Sequence, residues 1–168
     1  MDPKEVLDFI CRRKSVRRFQ KKDLPEETLT LLMKAAMAAP SGNNAQAWEF
    51  AIVRDAKIKE QISKVHPWVY MAAEAPAAIV VAGDQSSEWW EHDCAAATEN
   101  LLLAAANLGL GTVWCGINES QAKSVRKILG IPERMGILCI VPIGFPAESV
   151  SPDTKYRASK VHWDRFSR

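Results

Sequence analysis

Ala77-Ala78-Ile79-Val80-Val81-Ala82 is a run of six apolar residues with no polar position between them. A strand with one wet face alternates apolar and polar. A continuous run of this length reads instead as a strand buried on both faces. Such a strand needs cover from two sides, and the composition can supply it. Of 168 residues, 48% are apolar, enough for a sizeable core, and 25% are charged. Those proportions place the chain among soluble globular proteins, as one domain spanning 1–168 with 146–168 as an extended tail.

The elements around that strand follow from spacing and caps. Pro3 to Arg13 reads as a helix with Val6, Leu7, Phe9 and Ile10 on its apolar side. Pro25 opens a second helix, with Glu26 and Glu27 in the first turn, where acid suits the helix dipole. Leu29, Leu32, Met33, Ala36 and Met37 keep its helical spacing, and Pro40 ends it. Trp48 to Val53 reads as a strand. Asp55 caps a short helix from Ala56 to about Val65. Glu91 to Asn107 forms a long helix of roughly 25 Å at 1.5 Å per residue. Its Ala-rich middle lets a second helix approach closely, in the core or at a subunit interface. Asn118 caps a helix from Glu119 to Leu129, stopped by Gly130 and Pro132. Met135 to Ile143 is the last core strand. The tail from Pro146 is polar and without period.

Charge is concentrated. The stretch Arg12-Arg13-Lys14-Ser15-Val16-Arg17-Arg18-Phe19-Gln20-Lys21-Lys22 carries seven basic residues in eleven and no acid, leaving the remainder net acidic, with 15 Lys+Arg against 20 Asp+Glu. Three partners compete for such a run: a cofactor phosphate, nucleic acid, or only water. Ser15 amid the charges adds a directional hydroxyl. For nucleic acid, the run offers no interleaved aromatic platform beyond Phe19 and no recognised binding motif. A second informative stretch is Ala39 to Trp48, a loop rich in Pro, Ser, Gly and Asn. Its amide side chains can read the edge of a heterocycle, or simply cap a helix-to-strand turn. Cys11, Cys94, Cys115 and Cys139 show no metal spacing and read as reduced thiols of a cytoplasmic protein. The charged first twenty residues argue against a signal peptide, and no apolar run approaches a membrane span. His66 before Pro67 reads as a surface loop residue. Cys115 has no acid or histidine placed beside it by any motif, so it is not read as a nucleophile. Six tryptophans are many for this length, and some can line a pocket. Trp89 and Trp90, in a loop with exposed-looking indoles, and Trp68 are candidates for the wall over a planar substrate.

Together, Arg13-Lys14-Ser15-Val16-Arg17-Arg18-Phe19 and the later Pro40-Ser41-x-x-Asn44-x-Gln46-x-Trp48 resemble the two opening motifs of the FMN-dependent nitroreductase family. Lys14 departs from the family's usual Arg or His but keeps the charge. Ala47 stands where the family has Pro, and no functional group is lost. Leu110-Gly111-Thr112-Val113-Trp114-Cys115-Gly116 resembles a third family segment, and Lys155-Tyr156-Arg157, within Asp153-Thr154-Lys155-Tyr156-Arg157, a fourth. The resemblance implies an α+β fold: a mixed, mostly antiparallel sheet flanked by helices, in an intertwined homodimer. It implies FMN at the subunit interface, taking the basic motif from one chain and the Pro-Ser-x-x-Asn loop from the other.

The same resemblance assigns roles. Arg13, Ser15, Lys155 and Arg157 would meet the phosphate and ribityl chain, so that cations from both ends of the polypeptide converge, and Lys14 would belong to the same cofactor-binding set. Arg17 would face the N1/C2-carbonyl side, where charge gathers on reduction. Pro40, Ser41, Asn44 and Gln46 would line polar edges of the cofactor. Trp114, Cys115 and Gly116 would lay backbone beside the ring. The flavin carries the hydride, so no catalytic side chain and no metal are expected. The implied activity is a ping-pong oxidoreductase in which NADH or NADPH reduces FMN and a nitroaromatic, a quinone or a similar electron-poor small molecule reoxidises it. No nucleic acid and no membrane enter that reading. A flavin carrier or sensor without turnover stays open beside it, as does a dedicated chemistry such as reductive dehalogenation or flavin breakdown.

Overall fold

The computed structural model describes residues 2–149 and 155–166. The apolar run falls in β2 (Ala77–Asp84), which is buried along nearly its whole length. It pairs antiparallel with β1 (Trp48–Val53) on one side and with β5 (Met135–Gly144) on the other. The far edge of β5 carries two short strands, β3 (Gly111–Thr112) opposite its end and β4 (Cys115–Gly116) opposite Ile140 and Cys139. All these pairings are antiparallel. The mixed character expected of the sheet reduces, among the described residues, to one parallel bridge between Ser15 and Thr112.

Each face of the sheet has its own core. Ala77, Ile79 and Val81 point toward α2 (Glu26–Ala36) and α4 (Trp90–Asn107), packing with Leu29, Leu32, Ala97 and Leu101. Ala78, Val80 and Ala82 point the other way, toward α3 (Ala56–Ser63), the 3-10 segment Pro67–Ala72 and α5 (Glu119–Leu129). On β5 the alternation changes phase. Val81 lies opposite Cys139 but Ala82 lies opposite Ile137, so Leu138 is an extra residue, a β-bulge. Ile137 and Ile140 consequently share one core while Cys139, Val141 and Ile143 share the other.

The caps behave as their chemistry requires. Asp55 accepts from the Ile58 N–H at 2.9 Å, and Asn118 and Gln121 form a reciprocal capping box. α1 (Pro3–Arg12) opens with another, formed by Asp2 and Glu5. It stops one residue short of the expected Arg13, and α2 stops at Ala36, four residues before Pro40, running out through turns at Ala38 and Ala39. α1 buries none of its residues: Val6, Leu7 and Ile10 stay 39%, 59% and 46% exposed. Among the described residues no helix is long and apolar enough to cross a membrane.

Candidate functional site

The basic run leaves α1 and becomes an edge segment of the sheet. The Val16 N–H donates to the Thr112 carbonyl at 2.8 Å, and the Gln20 N–H to the Phe145 carbonyl at 2.8 Å. The Ala147 N–H returns a bond to the Arg18 carbonyl at 3.0 Å. Val16 and Phe19 turn into the core, leaving Ser15, Arg17 and Arg18 exposed. Gly111 permits this close approach, since a Cβ there would lie 2.6 Å from the Cβ of Val16. The backbone beneath these cations is therefore held by main-chain bonds and buried apolar anchors. Arg13, half-buried at the end of α1, has its Nε 3.6 Å from Oε1 of Glu99 on α4. Lys22 sits 4.0 Å above the Phe145 ring, a cation–π contact.

Beside this edge lie Trp114, Cys115 and Gly116. Trp114 and Gly116 are exposed and Cys115 is buried. The Cys115 thiol donates to the Trp68 carbonyl at 3.2 Å. Burial pushes its pKa up to about 11, against the opposing pull of the Arg17 guanidinium. That pull places Arg17 near β4. A thiol so raised by burial is scarcely ionised at neutral pH.

The loop after α2 is the most strained stretch of the described backbone. Asn43, Asn44 and Gln46 adopt φ of 53°, 54° and 49°, the left-handed region. Asn tolerates that region and Gln does so poorly; each such residue costs on the order of 1 kcal/mol. Strain of this kind persists only where neighbouring bonds over-determine the loop. The Ser41 hydroxyl accepts from the Gln46 N–H at 3.0 Å, and the Gln46 side-chain amide donates to Asn44 Oδ1 at 3.0 Å. The Gly42 N–H donates to Oδ1 of Asp93 at 2.8 Å. Asp93 is a residue that sequence reasoning missed. An acid in the first turn of a helix is ordinary, so nothing marked it. Pro40, Asn44 and Gln46 are exposed and Ser41 is half-buried.

The tryptophans separate. Trp68 is 72% exposed, and Trp89 is 43% exposed with His92 edge-on to it at 5.4 Å. Trp90 departs from the expected exposed wall. Its indole lies on the backbone of Gly83 and Gly136, which face each other across β2 and β5, so it is a packing residue that seats the start of α4 on the sheet. Lys155 and Arg157 are exposed, while Asp153 and Thr154 of the fourth motif lie outside the described residues. Four hollows formed by the described residues are lined by neither Arg13 nor Arg157. Lys14 instead lines a hollow of about 330 Å³ with Arg12, Leu110 and Pro146. The structure thus brings Ser15, Arg17, β3 and β4 to one sheet edge and docks the strained loop on α4.

A fold and an edge of this kind have counterparts. A sequence model described as the Nitroreductase family matches residues 10–66 and 63–145. A protein of Methanothermobacter thermautotrophicus, provisionally named NADH dehydrogenase/NAD(P)H nitroreductase, is 36% identical over 96% of this chain and 88% of its own length. A crystal structure of a provisionally named NADH dehydrogenase/NAD(P)H nitroreductase from Bacteroides thetaiotaomicron superposes with a TM-score of 0.94 at 38% identity, covering 96% of this chain and 98% of that one. An FMN-dependent nitroreductase of Clostridium difficile superposes with a TM-score of 0.90 at 27% identity, covering 95% and 99%. The chain belongs to the nitroreductase family, a family of oxidoreductases.

Proposed function

We propose that the protein is an FMN-dependent oxidoreductase that takes reducing equivalents from NADH or NADPH and passes them to a nitroaromatic, a quinone or a similar electron-poor molecule, one after the other in a ping-pong cycle. The observation that carries this reading is the basic edge itself: Ser15 and Arg17, exposed and fixed by main-chain bonds, lie along the same sheet edge as Trp114–Gly116.

The donor set fits a flavin nucleotide. Its phosphate carries a charge near −2, and charge-assisted hydrogen bonds contribute about 1.5–3 kcal/mol each. Three or four from Arg13, Ser15, Lys155 and Arg157, less ordering costs, reach the ~8 kcal/mol of micromolar affinity. The Arg13–Glu99 contact at 3.6 Å is longer than a charge-assisted hydrogen bond, so a dianion can compete for that guanidinium. Bound FMN supplies the hydride chemistry. Arg17, beside β4, would stabilise negative charge on the reduced ring. Asn44 and Gln46, held at fixed backbone angles, would present amides to its polar edge. Trp68 and Trp89 offer exposed indoles against which a flat acceptor can stack.

Two copies of the chain complete the proposal. The apolar side of α1, with Leu31 and Met37, is uncovered in one chain, and apolar surface of this kind calls for a partner. A homodimer would bring one chain's basic edge to the other's loop. Four free cysteines, three of them buried, suit the cytoplasm. The test is purification followed by anaerobic titration. Yellow protein whose flavin absorbance bleaches on adding NADH or NADPH, and returns with a quinone, is expected. Colourless protein that FMN does not reconstitute refutes the reading.

A further inference from the structure

We infer that Asp93 is the positioning residue that holds the Ser41–Gln46 loop in its strained shape for the cofactor, an inference that rests on the proposed flavin site. Asp93 is 3% exposed, and its Oδ1 accepts the Gly42 N–H at 2.8 Å. Oδ2 has no hydrogen-bond partner among the described residues. A buried carboxylate oxygen left in this way is unfavourable, a cost that the bond made by its other oxygen must offset.

Gly42 immediately precedes the left-handed Asn43 and Asn44, and its peptide plane sets the direction of the chain into them. A second contact fixes the same residue. The Trp89 ring presses on Gly42 so closely that a Cβ would lie 2.6 Å from Cδ1 and 2.9 Å from the Cβ of Trp89. The loop's remaining side-chain bonds, Gln46 N–H to Ser41 and Gln46 to Asn44, are neutral and exposed, and compete with water. The bond to Asp93 is charge-assisted and partly buried, stronger than those two side-chain bonds, and it ties to α4 a loop whose own main-chain bonds run from Asn44 N–H to Ser41 and from Ala45 N–H to Gly42. The base of the clamp is rigid in turn, because Trp90 seats the same helical turn on Gly83 and Gly136.

The test compares the parent with Asp93→Ala, Asp93→Asn and Gly42→Ala, using two readouts: amide hydrogen exchange at residue 42 in the flavin-free protein, and FMN affinity by fluorescence titration. Asp93→Ala removes the acceptor; exchange should quicken at least tenfold and the FMN Kd should rise at least tenfold. Asp93→Asn keeps an oxygen acceptor for the Gly42 N–H and should bring both values back to within about threefold of the parent, a rescue that a merely space-filling role would not require. Gly42→Ala leaves the carboxylate intact, presses on Trp89, and should reproduce both effects from the loop side, so the question is decided even where Asp93→Ala does not fold. Unchanged exchange in Asp93→Ala or Gly42→Ala overturns the clamp. Fast exchange with unchanged FMN affinity overturns its role in the site. A parent that takes up no FMN refutes the proposed function alone, and residue 42 still decides the clamp.

Discussion

Gly136→Ala is a small change with a determinate consequence. A Cβ at position 136 would lie 2.4 Å from Cη2 of Trp90, 2.6 Å from Cζ2 and 2.9 Å from Cζ3. Carbon atoms in favourable contact sit about 3.5–4.0 Å apart, so the ring must retreat by about 1 Å. It has no room on the other strand, because a Cβ at Gly83 would already meet Cε3 at 2.7 Å. The ring can only lift, carrying the first turn of α4 and Asp93 with it. Overpacking of this kind costs about 1–3 kcal/mol. Replacing a strand glycine returns roughly 0.5 kcal/mol through the unfolded chain. The net loss is about 0.5–2.5 kcal/mol, and at about 2–4 °C per kcal/mol for a chain of this size the melting temperature falls by roughly 1–10 °C. Thermal unfolding followed by circular dichroism measures it. The double variant Gly136→Ala with Trp90→Leu removes the ring from the contact and should show a favourable coupling of about 1 kcal/mol. A Gly136→Ala protein that melts at or above the parent, or a double variant that is merely additive, refutes the packing argument.

Other perturbations test separate parts. Arg13→Ala should weaken FMN binding about 10- to 100-fold, the equivalent of one charge-assisted bond, while folding stability changes by less than about 1 kcal/mol because the Glu99 pair is partly exposed; undiminished flavin retention by ultrafiltration would overturn the phosphate assignment. Lys59 is 7% exposed and donates to the Ala75 and Pro76 carbonyls. Lys59→Met strands both and should cost about 1–3 kcal/mol in urea unfolding; a loss under about 0.5 kcal/mol contradicts this. The Arg126 guanidinium holds the Glu119 carboxyl below its ordinary 4.5. A depressed carboxylate stabilises above its unfolded pKa, and that contribution fades as pH falls through the lowered value. Melting temperatures of the parent and Glu119→Gln should therefore differ at pH 7 and draw together in acid; a constant gap would contradict the assignment. Burial pushes the Cys94 thiol up to about 12, raises Cys115 to about 11 and raises Cys139 further. At pH 8 a disulfide reagent should find Cys11 first and the other three only on unfolding, and a second fast thiol would be the contrary result.

The parts of this molecule that were readable in its sequence are those whose cause is local. The unbroken apolar run of β2, the Asp55 and Asn118 caps and the spacing of α2 each carry their own signal, and the elements stand where those signals fall, within a few residues. What depends on a distant partner was hidden. β3 and β4 exist because β5 offers an edge, and two-residue strands have no period to detect. The Leu138 bulge, which puts Ile137 in the opposite core from Cys139, arises from pairing with β2. The segment 15–20 announced itself as charge, while its second character, an edge strand anchored by Val16 and Phe19, needed Thr112 and Phe145 to be seen. Trp90 looked like Trp89. The available hint was two glycines, Gly83 and Gly136, inside otherwise bulky strands, a pattern that signals close approach of another group without saying which.

The same residue type serves two ends here, and burial with pairing separates them. Arg126 is 8% exposed, and its charge is committed to Glu119 and the Met135 carbonyl, so it belongs to the fold. Arg17 and Arg18 project from a backbone that is hydrogen-bonded on the sheet edge, with their own side chains exposed. A protein gains little stability from exposed cations clustered together, since like charges repel and water already solvates them. Fixing their backbone makes physical sense when an anion is to be met at a set distance. On the proposed reading, these cations and the strained amides of the loop bear on one bound nucleotide, and both groups lie on the surface of the single chain. A surface site excludes little water, and charge stabilisation is weak where water screens it. On that same reading a second chain would supply the missing wall, and the uncovered apolar side of α1, which delivers the basic segment, is a surface suited to receive it.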